Sequence, residues 1–496
     1  MKSKILLSSV YTLEEDPWER RQMKPYPPLG ILYISSSLKE NGLQNDDIRM
    51  FDATFNPGLN AFLKMLETFK PDLVGITTNT ITENKTLKFI KTIKDVLDIP
   101  IVVGGPGPTM NSKSFLDAGV NCVVLSEGEE TAVEVFNHYL GKNEMKISDI
   151  AGITYKFNNQ TIITHSRPLI THLDSIPFPD RTLLNISEYS EVWKKHHKIF
   201  YSSIITARGC PYSCTWCARD LSFGRKYRYR SVDNVIDEII ELKDKYKVDA
   251  LRFVDDILTV HRKRSMALFS SMIERDVRIP FECLTRVDRV DSELLTVMKK
   301  AGLQLIYYGV ESGSQRILNA MNKQIRVSDI YKSSKIMKKL KLMQSWFLML
   351  GYPPETVKDI KKTLKILREL NPDKFGISIA YPLPKTKFFQ DLVDNNMLLI
   401  NQNQWDQSLD NKLLFTSEYS NQFYKWAIRG LYLNYYTSRF HTKHKNILSK
   451  ILDTGAYLCT VKSLEFLSRL SGPKLSNHID GDELDELPVD PMPIQC

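Results

Sequence analysis

At 496 residues the chain exceeds the ~250–300 residues at which one hydrophobic core stops growing, so two or three domains are expected. Its 42% hydrophobic and 25% charged residues exclude a wholly disordered or fibrous protein, and no apolar run reaches the ~18 residues that span a bilayer. A net charge of +9, from 67 Lys and Arg against 58 Asp and Glu, is too dilute to choose among phosphate ligands, nucleic acid and an anionic membrane.

The opening stretch, MKSKILLSSVYTLEEDPWE, follows a short apolar run with acids and has no small-residue cleavage site. No secretory leader is therefore expected, and a reducing cytoplasm is the expected location. Within residues 1–145, Ile5-Leu6-Leu7, Ile48 to Phe51, Leu73 to Ile76, Ile101 to Val103 and Val123 to Leu125 are too short for helices and too apolar for surface strands. They read as buried parallel strands. Between them Glu83 to Leu97 places Leu87, Ile90, Ile93, Val96 and Leu97 on one helical face, so a doubly wound α/β domain is predicted. Its glycine-bearing turns, Gly104-Gly105-Pro106-Gly107-Pro108 and Ser126-Glu127-Gly128-Glu129-Glu130, lie where such sheets bind ligands. Neither matches GxGxxG, which argues against a dinucleotide, and a tight turn alone would also explain the glycines.

Residues 146–199 read as a proline-bearing connector with a hairpin, Gly152 to Phe157 and Thr161 to His165 across Asn158-Asn159-Gln160. From 200 to 395 the alternation resumes, with strands expected at Ser202–Thr206, Ala250–Val254, Phe281–Thr285, Gln304–Gly309, Gln344–Leu350 and Gly376–Ala380. A helix from Ser231, its cap, to Tyr246 is typical of the intervening segments. Six such units predict a partial βα barrel whose site lies at the strands' carboxyl ends. Residues 396–472 read as a helical unit, and 473–496 as an acidic, disordered tail.

Three of the seven cysteines crowd together in Arg208-Gly209-Cys210-Pro211-Tyr212-Ser213-Cys214-Thr215-Trp216-Cys217, directly after the first barrel strand. That crowding points to metal or cluster ligation rather than disulfides, with Cys122, Cys283, Cys459 and Cys496 as bystanders. Three thiolates can hold three irons of a 4Fe-4S cube and leave the fourth open. A zinc knuckle needs a fourth neighbouring ligand, and the next histidine downstream is His261. The basic-aromatic run Arg225 to Arg230 is too short for a nucleic-acid stripe and reads as a loop that closes over an anionic cofactor or simply leads into the next helix.

RGCPYSCTWC resembles the cluster motif of radical S-adenosylmethionine (SAM) enzymes, in which the open iron chelates SAM and an electron cleaves it to a 5′-deoxyadenosyl radical. On that resemblance Cys210, Cys214 and Cys217 hold the cluster, with Trp216 beside it. Glu311 would accept the ribose hydroxyls, Arg286 would pair with the methionine carboxylate, and Asp256 would contact the cofactor unless Asp255 and Asp256 only cap a helix. Leu73 to Thr80, Val103 to Pro106 and Glu127 to Glu129, with Pro27-Pro28-Leu29-Gly30, are similar to the loops of cobalamin-binding Rossmann-like domains. Thr77, Thr78, Asn79, Gly104, Gly105, Pro106, Glu127 and Gly128 would then surround the nucleotide tail. The DxHxxG motif that supplies a cobalt-ligating histidine is missing.

The chain is thus similar to the cobalamin-dependent radical SAM enzymes, which implies methyl transfer from methylcobalamin to an unactivated carbon of a small molecule. An external flavodoxin- or ferredoxin-like donor and no nucleic-acid partner are implied with it. The alternatives are an oxidative cyclase related to the magnesium-protoporphyrin ester cyclases and a tRNA- or peptide-modifying enzyme. Trp405, Trp426, Tyr432, Tyr435 and Tyr436 are either core or a substrate wall.

Overall fold

Short β-branched runs hide both faces only inside a covered sheet. The computed structural model describes residues 3–55, 58–400 and 412–470. In it the five N-terminal runs form parallel strands β1 (Ile5–Ser9), β2 (Ile48–Asp52), β3 (Leu73–Thr77), β4 (Ile101–Gly104) and β5 (Cys122–Val124). Strands β6 (Ile153–Phe157) and β7 (Gln160–Ile163) follow, giving the order β2-β1-β3-β4-β5-β6-β7. Consecutive residues of β1 feed opposite cores, Ile5 and Leu7 packing with Phe136 while Leu6 packs with Phe62 and Phe89. Chain order reverses at β1, the place where doubly wound sheets open a crevice.

The hairpin expected in the connector is the β6-β7 pair, and it extends this sheet by antiparallel pairing with β5. The connector also holds a helix the sequence reading omitted, Ile186–His197, whose Tyr189 and Trp193 are buried. Ile186, Tyr189, Val192 and Trp193 recur there at helical spacing, a signal the reading as a proline-bearing connector passed over.

The barrel comprises β8 (Tyr201–Ile204), β11 (Ala250–Phe253), β12 (Phe281–Thr285), β13 (Leu303–Glu311), β14 (Met343–Leu350) and β15 (Lys374–Ile379), parallel throughout and open between β8 and β15. A two-residue ladder, β9 (Ala207–Arg208) with β10 (Arg228–Tyr229), closes the loop after β8. The expected helix runs Val232–Asp244, with Ser231 Oγ accepting the Asn234 amide at 3.2 Å.

The C-terminal unit is a hairpin of helices Asn421–His444 and Ile447–Leu470 against the helix Val357–Leu370. Tyr432 and Tyr435 are core, their rings 4.6 and 4.7 Å from that of Phe375, whereas Trp426 and Tyr436 are exposed. No described residue of 412–470 lines the barrel cavity, so these aromatics build no substrate wall there. Trp405, Cys496 and the acidic tail 473–496 lie outside the described residues.

Residues of the connector fasten the two sheets together. Tyr189 Oη donates to Asp52 Oδ2 at 2.6 Å, Trp193 Nε1 donates to the Pro25 carbonyl at 2.6 Å, and Asp180 accepts from Ser35 at 2.7 Å. Arg181, 1% exposed, donates to Glu238 Oε1 at 2.7 Å while Arg230 holds Oε2. Glu238→Gln leaves two buried guanidinium groups without an anion, which typically costs ~3–5 kcal/mol. Chemical denaturation is expected to show a loss of that size for Glu238→Gln, and far less for an exposed control such as Glu274→Gln.

Candidate functional site

Gly209 starts the cysteine loop at φ +88°, where a Cβ would sit 2.4 Å from the Lys226 carbonyl. The loop therefore needs glycine to leave β9 and return to β10 at close quarters. Its far end is tied to the barrel: Thr215 N donates to the Met321 carbonyl at 3.1 Å, and Asn322 Nδ2 donates to the Ser213 carbonyl at 2.9 Å. Cys210, Cys214 and Cys217 all face a cavity of ≈ 240 Å³ at the strands' carboxyl ends, with Trp216, Asp256, Arg286 and Glu311 on its walls.

Burial pushes all three thiols up, Cys217 to about 12, and outweighs the lowering by Arg286, Lys323 and Arg219 nearby. Among the described residues no three His, Cys, Asp or Glu side chains converge on one metal ion. Three thiolates on separate positions of one loop can each take a different iron of a cube, and the loop offers no fourth Cys or His for a zinc. A cluster's irons supply the charge that the thiolates need.

The other barrel positions divide by what their polar atoms touch. Asp255 is structural: its carboxylate accepts from Thr206 N (2.5 Å), Thr206 Oγ1 (2.5 Å) and Ala207 N (3.1 Å), fixing the turn into the cysteine loop rather than capping a helix. Asp256 is buried with neither oxygen hydrogen-bonded, although Arg219 Nη1 approaches Oδ1 at 3.2 Å. The carboxylate is ion-paired with Arg219 but keeps acceptor capacity toward the cavity, which suits a cationic ligand group. Arg286 lies 3.6 Å over the Tyr212 ring and donates to Asp288 and to the Lys323 and Gln324 carbonyls, leaving one N–H of Nη1 for a ligand.

Glu311 closes β13 at φ +61°, strained for a side-chain-bearing residue, and β13 slips register against β14 there. Its Oε1 accepts from Lys323 Nζ at 2.7 Å, and Oε2 remains for a ligand. Lys323 also lies 5.2 Å from the Trp216 ring. The sequence reading missed Lys323, because it comes from a turn beyond the helix Gln315–Ala320 rather than from a strand end. Gly309 makes room for the pair, since a Cβ would fall 2.6 Å from both Glu311 Oε1 and Lys323 Nζ.

A second cavity of ≈ 310 Å³ opens at the carboxyl ends of the N-terminal sheet, lined by Thr77, Gly104, Gly105, Pro106, Glu127 and Gly128 among mainly apolar neighbours. Its depth rests on missing side chains: a Cβ on Gly75 would lie 2.8 Å from the Phe136 ring, and one on Gly105, at φ +111°, would lie 2.5 Å from the Thr78 carbonyl. Thr78 and Asn79 are not on its wall. Thr78 Oγ1 bonds Thr82 and Thr86 hydroxyls, and Asn79 Oδ1 accepts the Thr82 amide at 2.9 Å, so both hold the loop instead. The cavity's volume and apolar walls fit a flat nucleotide base, and no histidine is among its lining residues.

Glu127 lines this cavity but its carboxylate is spent across the domain boundary. Oε1 accepts from Arg208 Nη1 at 2.9 Å, and Oε2 from Arg228 Nη1 at 2.8 Å and Ile170 N at 2.9 Å. Glu129 takes the other Arg208 nitrogen at 2.5 Å. Arg219, two residues past Cys217, lines both cavities.

Replacing Cys210, Cys214 or Cys217 by Ala is expected to abolish iron binding after anaerobic reconstitution while cobalamin binding persists, read from iron analysis and the corrin absorption bands. Gly105→Val is expected to do the reverse, losing corrinoid and keeping iron.

The chain matches the radical SAM superfamily over residues 204–387 and the B12 binding domain over residues 24–136. An uncharacterized methyltransferase of Pyrococcus horikoshii is 29% identical over 83% of this chain and 88% of its own. The anaerobic magnesium-protoporphyrin IX monomethyl ester cyclase of Rubrivivax gelatinosus is 28% identical over 74% of this chain and 67% of its own. The cobalamin-dependent SAM radical enzyme OxsB has the same fold, with a TM-score of 0.71 at 17% identity over 94% of this chain and 72% of that one. With a three-cysteine loop at the mouth of an open barrel and a Rossmann-like domain set against it, the chain is a member of the radical SAM superfamily that carries an N-terminal B12-binding domain.

Proposed function

We propose that the protein is a cobalamin-dependent radical SAM methyltransferase that places a methyl group on an unactivated carbon of a small molecule. The observation that carries this reading is Arg219, which forms part of the wall of both cavities. A substrate between the cluster site and the corrinoid site is then within reach of both. When bound, the reduced cluster supplies the electron that cleaves SAM, and cobalamin supplies the methyl group.

This chain's residues bind and orient. Cys210, Cys214 and Cys217 ligate the cluster; Asp256 accepts from the SAM ammonium; Glu311 Oε2 accepts from the ribose hydroxyls; and the spare Arg286 N–H meets the methionine carboxylate. Thr77, Gly104, Gly105, Pro106 and Gly128 seat the nucleotide tail. Phe347, Ile377 and Leu383 keep water and stray hydrogen donors from the barrel cavity, which matters more here than stabilising charge. An external flavodoxin- or ferredoxin-like protein supplies electrons, and thiols at a reducible cluster suit a reducing cytoplasm.

The relation to the Rubrivivax cyclase favours a second reading, oxidative ring closure on the same cofactors. The two differ in how SAM is used. With SAM, reductant and cobalamin, anaerobic enzyme is expected to form both 5′-deoxyadenosine and S-adenosylhomocysteine. 5′-Deoxyadenosine without S-adenosylhomocysteine would favour cyclisation, and neither product would refute both readings.

A further inference from the structure

The helix Ile447–Leu470 carries apolar residues on two faces. Toward the protein it fully buries Ser449, Asp453, Ala456, Thr460 and Leu464, with Tyr457, Val461 and Leu467 partly buried against the core. Outward it presents Ile447, Leu448, Ile451, Leu452, Leu458 and Phe466, the first three 79%, 65% and 60% exposed. Its inward contacts are specific: Arg368 donates to both Asp453 oxygens at 2.6 and 2.8 Å, and Asn434 Nδ2 donates to Thr460 Oγ1 at 2.7 Å. A Cβ on Gly430 would lie 2.6 Å from Thr460, so the two hairpin helices meet closely there. The orientation is thus fixed, and the apolar face is left outside by construction. The partner helix Asn421–His444 continues that face with Trp426, Leu433 and Phe440, near helical spacing and all exposed. A patch of this kind marks an interaction site.

Charge narrows the occupant. Residues 421–470 hold eight Lys and Arg against two acids, six of the chain's net nine positive charges. Both acids are paired with basic residues of the helix Val357–Leu370, Asp453 with Arg368 and Glu465 with Lys361. Lys443, Lys445 and Lys450 surround the apolar tip at Ile447 and Leu448. A second copy docking by a two-fold axis would set this basic face against itself. Aliphatic side chains at a tip ringed by lysines match a bilayer, whose acyl boundary takes the first and whose anionic headgroups take the second. Among the described residues no helix is long and apolar enough to cross a membrane, so contact would be at one surface.

We propose that the C-terminal helical hairpin docks the protein on an anionic lipid bilayer, with the Ile447 to Leu452 tip entering the headgroup layer. Full-length protein is expected to sediment with vesicles of phosphatidylcholine and phosphatidylglycerol in equal parts, weakly with phosphatidylcholine alone, and less as salt rises. The Leu448→Glu/Ile451→Glu variant is expected to lower the partition coefficient about tenfold or more at unchanged thermal midpoint and iron content. Full-length protein that ignores anionic vesicles would overturn the proposal. So would a homodimer that this variant dissociates, which assigns the face to a second copy. Vesicle binding seen only after truncation at Leu470 would also overturn it, assigning the face to the acidic segment Asp480 to Asp490.

Discussion

Everything at the proposed reaction centre depends on the buried ion cluster of Glu127 with Arg208 and Arg228. Arg208 stands two residues before Cys210, Arg228 on the strand that closes the cysteine loop, and Glu127 in a turn of the other domain. All three are nearly excluded from water, so none can exchange its protein partners for solvent, and Glu129 adds a second carboxylate on Arg208. Burial opposes the charge on Arg208, and Glu129 with Glu127 more than restores it. The consequence is geometric: the two cavities keep a common wall instead of belonging to two independently tumbling domains.

On that frame the barrel adds strain and unsatisfied chemistry where ligands are expected. Glu311 is held at a left-handed φ, which surrounding packing must compensate, and the enclosed Asp256 carboxylate has only the Arg219 guanidinium beside it. Gly309 and Gly209 show the same logic in reverse, giving up side chains so that backbone or a charged pair can approach closely.

Much of this was legible in the sequence because its signals are local. Buried parallel strands announce themselves as short apolar runs, and Phe281–Thr285 was placed to the residue. The cysteine spacing lies within one loop. What escaped was set by tertiary contact. Glu127 occupies the expected turn, but its carboxylate serves the domain boundary, a fact that only the distant arginines decide. Thr78 and Asn79 sit in the expected loop with their side chains turned to its own hydrogen bonds. Lys323 follows no motif, and the helix Ile186–His197 lies in a proline-bearing stretch where its Ile186, Tyr189, Val192 and Trp193 period was passed over.

The most direct test of the shared-wall account is the magnetic coupling between the reduced cluster and cob(II)alamin, measured by pulsed electron paramagnetic resonance on doubly loaded protein. The account predicts one narrow distance in the wild type and a broadened distribution in Glu127→Gln with both cofactors still bound. An uncoupled pair in the wild type, with iron and corrinoid at full occupancy, would contradict it.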